Sequence, residues 1–106
     1  RDFTFVENAV QINVKGMLSI NEEAKNKVYN VAVGENYSVN FLYNFIREYL
    51  KSDIEAVHHD PREGDIHDSL GDISLAKKLL GYEPTTKFET WLIKTIEYFK
   101  DLYSQK

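Results

Sequence analysis

Residues 58 to 72, His58-His-Asp-Pro-Arg-Glu-Gly-Asp-Ile-His-Asp-Ser-Leu-Gly-Asp72, hold all three histidines of the chain among aspartates, one glutamate and one arginine. Three kinds of chemistry suit such a stretch. As a metal cage it would combine one of His58 or His59 with His67, because adjacent strand residues point to opposite faces, and would need a third ligand from Asp60, Asp65 or Asp68. Solvated loop histidines are far commoner than that arrangement, and no metal site is expected. As an acid/base centre, Asp65, Asp68 or Asp72 would pair with a histidine, but a charged loop supplies little of the desolvation that shifts a pKa. The third reading is an anion grip. Pro61 fixes the approach, Gly64 permits a sharp turn, and Arg62 is offered as a fork to a pair of phosphoryl oxygens. Taken alone, the loop suits a surface Arg62 paired with Asp60 or Glu63 better than an anion grip.

The totals narrow the setting. At 106 residues, with 42% hydrophobic and 13% aromatic residues, the chain is expected to be one globular domain, residues 1–106. Its net charge of −4 has the wrong sign for gripping nucleic acid by counterion release. No apolar run approaches a membrane span, so neither a nucleic acid nor a membrane is expected as partner. Without cysteine there is no disulfide framework and no thiolate zinc site, which suits a cytoplasmic location. The opening Arg1-Asp-Phe-Thr-Phe-Val6 enters directly on a strand-like run and suggests a chain cut from something longer.

The elements that would position the loop follow from periodicity. Phe3 to Val6 predicts a short strand, and from Asn8 onward Val10, Val14, Met17 and Leu18 recur at helical spacing. Lys27 to Val33, β-branched and aromatic and closed by Gly34, predicts a second strand. Ser38 is a candidate N-cap for a helix lined by Val39, Leu42, Phe45, Ile46, Tyr49 and Leu50. Ile54 to His58 then predicts a strand, completing a right-handed parallel βαβ unit whose carboxyl end leads into the loop, where α/β sheets hold ligands. Asp72 can cap a helix over 73–80 ended by Gly81, and Thr86 with Glu89 forms a capping box before a terminal helix lined by Phe88, Trp91, Leu92, Ile96, Phe99 and Tyr103. The expected class is therefore α/β, a small βαβ-containing substrate-binding domain with about four helices and a few short strands.

Read in order, RDFTFVENAVQ at 1–11, VYNVAVGE at 28–35, REGDIHDSLGDISLAKKLLGYEP at 62–84 and TIEYF at 95–99 resemble the C-terminal half of extended short-chain dehydrogenase/reductase enzymes that act on nucleotide sugars. Within that family the pattern is most similar to the nucleoside-diphosphate-sugar 4-epimerases, especially those for UDP-N-acetylhexosamines. The resemblance implies a UDP-sugar-binding region. It implies diphosphate contacts from Arg1 and Arg62, an aromatic beside the nucleotide from Phe3, and a carboxylate for the nucleoside sugar hydroxyls from Asp65. It also places Ser69 on the wall of the hexose pocket, where a small residue leaves room for an acetamido group and a tyrosine does not. His67, Asp68 and Asn8 stand where the family usually has arginine, histidine and aspartate.

The family's hydride chemistry needs NAD on a glycine-rich loop and a Tyr-x-x-x-Lys pair. Glycines 16, 34, 64, 71 and 81 lie too far apart for that loop, and no tyrosine has lysine four residues on, the nearest being Tyr43 with Arg47. The chain is expected to lack the Rossmann domain and to carry no catalytic, cofactor or metal residue of its own. Its expected partners are the UDP-sugar, that missing domain, and a second copy through exposed apolar surface. A related dehydratase or decarboxylase fragment, or a free-standing non-enzymatic binding module, is the alternative.

Overall fold

Among the described residues four helices carry the fold: α1 (Val6–Leu18), α2 (Val39–Leu50), α3 (Ser74–Leu80) and α4 (Phe88–Ser104), with a 3₁₀ turn at Glu22–Ala24. A computed structural model describes residues 1–105. Helix α2 begins where its sequence dictates, with the Ser38 hydroxyl accepting from the Phe41 N–H, and ends on Lys51 in the left-handed region. Helix α3 ends at Gly81, whose φ of 61° suits a residue without Cβ. Asp72 serves α3 from one position further out than a cap, its carboxylate accepting from the Ser74 N–H at 2.9 Å. Thr86 and Glu89 form no capping box. Helix α4 starts at Phe88 behind an N-cap at Lys87, which puts Glu89 at the second rather than the third helical position. The Thr86 hydroxyl donates instead to Glu7, whose carboxylate also accepts from Lys94 on α4.

The three expected strands do not form, and the α/β class with its βαβ unit gives way to a mostly helical one. Among the described residues no segment is paired in a β-ladder. A strand exists only through a neighbour that takes its backbone groups, and none lies alongside. One rung of that kind survives: Arg1 and Tyr37 exchange both backbone hydrogen bonds, at 2.8 and 2.9 Å. Val6 has already joined α1, and residues 53–68 are exposed throughout, with Ile54, Val57 and Ile66 in solvent.

Packing is divided between two clusters. Ile12, Ala32, Ile73, Ala76 and Tyr82 form the first, joining α1 to α3, with the Tyr82 hydroxyl donating to the buried Ala32 carbonyl at 2.7 Å. Phe88, Leu92 and Ile96 of α4 form the second, with Leu42, Phe45 and Ile46 of α2 and Phe3, Tyr37 and Trp91 packed against them. The radius of gyration is 17.2 Å, well above the roughly 13 Å of a compact chain this long, so the two clusters do not merge into one core. Helix α1 buries Asn8 and Ile12, leaving Val6, Val10, Val14 and Met17 as an apolar stripe facing solvent, the reverse of the face its hydrophobic spacing predicts. At the inner position the Asn8 side-chain oxygen accepts from the Thr85 N–H at 3.1 Å, while its Nδ2 is buried without a partner. An open apolar groove of about 530 Å³ runs between α2 and α4, lined by Leu42, Ile46, Leu50, Trp91 and Phe99 among others. Among the described residues no helix is long and apolar enough to cross a membrane.

The first cluster closes where residues 32 and 71 meet. A Cβ built on Gly71 would collide with the Ala32 methyl, whereas one on Gly16 in α1 meets nothing within 4 Å. Gly71→Ala is therefore expected to cost about 1–3 kcal/mol in denaturant unfolding. Gly16→Ala is expected to gain about 0.5–1 kcal/mol in the same measurement.

Candidate functional site

The acidic loop is anchored by a single turn. Asp65 N–H donates to the Arg62 carbonyl at 3.2 Å, and Gly64 between them has φ 79°, the left-handed value a type II turn needs at its third residue. Any side chain at Gly64 would be strained there, which is why the sequence has none.

Against this turn lies the first residue of the chain. An Arg1 guanidinium nitrogen is 2.6 Å from Asp65 Oδ1, joining positions 64 residues apart. Asn36 ties the same corner together: its side-chain oxygen accepts from the Arg1 main-chain nitrogen at 3.2 Å, and its amide donates to the Ser69 carbonyl at 3.1 Å. The Ser69 hydroxyl accepts from the Asp2 N–H at 3.4 Å. Arg1, Asn36, Asn40, Asp65, His67 and Asp68 border a pocket of about 330 Å³.

Of the residues singled out by sequence, Arg1, Asp65 and Ser69 thus share one network. Arg62 sits at the far end of the same turn, exposed, with no ion pair or side-chain hydrogen bond among the described residues, so neither Asp60 nor Glu63 holds it. Phe3 points elsewhere. Its ring lies 5.8 Å from that of Phe88 and 6.5 Å from that of Trp91, inside the second cluster. Asn36 was not suggested by any motif, and Asp2, although it lies within the RDF block, was given no role there. Among the described residues no group of three or more His, Asp or Glu side chains is placed to hold a metal ion.

Chemically the corner offers charged and amide donors beside carboxylate acceptors. Arg1 spends one nitrogen on Asp65, and its remaining N–H groups, with those of Arg62, suit an anion with several oxygens. Asp65 Oδ2 stays available to accept from a hydroxyl. The Arg1–Asp65 pair is partly exposed, so it contributes at most about 1 kcal/mol to stability and can rearrange around a ligand. Beside it, the Tyr37 hydroxyl donates to Glu35 at 2.7 Å. That bond, followed by burial and the charges of Glu35 and Glu89, pushes the Tyr37 phenol up to about 12.

The fold is a small helical unit whose Arg62–Asp65 turn meets the side chain of Arg1. Its sequence is similar to those of UDP-sugar 4-epimerases. UDP-glucose 4-epimerase of Mycolicibacterium smegmatis is 28% identical over 101 residues, which make up 95% of this chain and 31% of that protein. UDP-glucuronate 4-epimerase 4 of Arabidopsis thaliana is 29% identical over 98% of this chain and 26% of its own length. UDP-glucuronate 4-epimerase of Thermodesulfobacterium geofontis is 24% identical over 95% of this chain and 30% of its own length. The chain therefore spans between about a quarter and a third of these curated relatives, which by name are UDP-glucose and UDP-glucuronate enzymes rather than N-acetylhexosamine ones. No family model matches the chain.

The Tyr37 phenol gives the site a measurable pH signature. Because its folded value lies above the ordinary value near 10, the stability it adds is complete below about pH 10 and is lost as pH rises toward 12. In an absorbance titration of phenolate, Tyr37→Phe is expected to remove an ionisation near pH 12, and to flatten the fall of stability between pH 10 and 12.

Proposed function

We propose that the chain is the UDP-sugar-binding part of an NAD-dependent nucleotide-sugar 4-epimerase, and that its hexose is an N-acetylhexosamine. The reading draws on the meeting of Arg1 with the Arg62–Asp65 turn, together with similarity to UDP-sugar 4-epimerases along nearly the whole chain. In this reading Arg1 and Arg62 hold the diphosphate from two sides, since a guanidinium fork matches phosphoryl oxygens better than a lysine does. Asp65 accepts from the nucleoside sugar hydroxyls through its free oxygen. Ser69, fixed by Asp2 and Asn36, forms the small wall that leaves room for an acetamido group. Phe3, packed on Phe88 and Trp91 away from that corner, would reach the nucleotide only by leaving this seat, and no contact is assigned to it here.

The residues of this chain do not fit the nicotinamide cofactor. Its glycines are scattered at 16, 34, 64, 71 and 81, and no Tyr-x-x-x-Lys pair occurs. NAD and the groups that move the C4 hydroxyl proton are therefore assigned to a dinucleotide-binding domain beyond these residues, in a cytoplasmic enzyme. What this chain does is bind and orient.

UDP titrated into the chain should give weak binding, with amide shifts at Asp2, Asp65 and Ser69. Arg62→Ala should weaken it by about 1.5–3 kcal/mol, the worth of hydrogen bonds to a charged group. Equal affinity of the two chains would remove Arg62 from the site. In the whole enzyme, Ser69→Tyr should slow epimerisation of UDP-N-acetylglucosamine at least tenfold while sparing UDP-glucose. Unchanged turnover of both sugars would defeat the N-acetyl assignment.

A further inference from the structure

One side chain at the site has three backbone partners and no role in the reading above. Asp2 Oδ1 accepts from the Val33 N–H at 3.0 Å, and Oδ2 accepts from the N–H groups of Gly34 at 2.9 Å and Gly71 at 3.2 Å. Its own N–H donates to the Ser69 hydroxyl. These partners are 31 to 69 residues away in sequence, in two segments that otherwise run without regular structure. The segment around 33–34 leads to Asn36 and Tyr37, which fix the Arg1 backbone, and the segment around 71 carries Ser69.

We propose that Asp2 is the positioning residue of this site: its carboxylate clamps three backbone N–H groups and thereby sets Arg1 relative to the Asp65 turn. The inference rests on the UDP-binding reading and adds to it a residue that never touches the ligand. A neutral amide at this place keeps the volume but turns one oxygen into a donor, which cannot accept from an N–H. Asp2→Asn must then lose either the Val33 bond or the two glycine bonds.

The test is a UDP titration of four chains: the parent, Asp2→Asn, Arg1→Ala, and the double variant, each first checked for its helical signal. If Asp2 acts by placing Arg1, Asp2→Asn weakens UDP at least tenfold in the parent but less than twofold where Arg1 is already alanine. An equal loss in both backgrounds makes Asp2 a general structural residue, and no loss in either removes it from the site; both outcomes overturn the proposal. Should Asp2→Asn fail to fold, Asp2→Glu carries the same comparison, since it keeps both acceptor oxygens and displaces them by one methylene. A parent chain that takes up no UDP would instead defeat the function proposed above. In that case amide exchange still judges the clamp: Val33, Gly34 and Gly71 should be protected in the parent, and rapid exchange at all three would end it.

Discussion

A carboxylate on the second residue holds two otherwise irregular parts of this chain against each other. Three backbone N–H groups converge on this one carboxylate, whereas Arg1 and Asp65 meet through a single partly exposed pair worth about 1 kcal/mol or less. That difference decides which contact sets the geometry. The clamp at Val33, Gly34 and Gly71 fixes where the corner is, and the ion pair fills it. Gly71 belongs to the same device, because only a residue without Cβ lets its N–H reach Asp2 while Ala32 presses from the other side. With no strand neighbour to receive them, those N–H groups would otherwise have to be met by water.

The helices were legible because their signals are local. The Ser38 cap, the Gly81 stop and the apolar face of α4 each need only a few adjacent residues to be read, and each falls within a residue or two of its expected place. Strands are decided elsewhere in the chain. Lys27 to Val33 has the composition of a strand, but composition does not provide a neighbour, and the backbone there is met by Asp2 and by the Tyr82 hydroxyl. The face of α1 was misread for a related reason. Hydrophobic spacing selects Val10, Val14 and Met17, while the structure buries Asn8 and Ile12 on the opposite side, with Asn8 bonded to the Thr85 N–H.

The site was legible in part. Arg62, Gly64 and Asp65 follow turn grammar that sequence displays openly, and the turn forms with the glycine where a positive φ requires it. That Arg1 reaches Asp65 across 64 residues follows from no spacing rule; only the resemblance of RDF and REGD to paired family motifs brought the two together beforehand. Asp2 is the middle residue of that RDF motif, yet the motif does not show which N–H groups its carboxylate meets, since they lie 31 to 69 residues away. Its function lies wholly in what folds around it.

Arg1, Asp2 and Phe3 divide three tasks among neighbouring residues. Phe3 packs into the aromatic cluster of α4, Asp2 receives the N–H groups beside the first cluster, and Arg1 faces the pocket. Consecutive Cα atoms are about 3.8 Å apart, so these anchors lie within two steps of the Arg1 backbone, though not of its guanidinium. Asp2, tied by three backbone N–H groups, separates the Phe3 anchor from Arg1. The two clusters do not pack into one core, but both are fastened to this short segment, which makes it the place where their relative position becomes the geometry of the site.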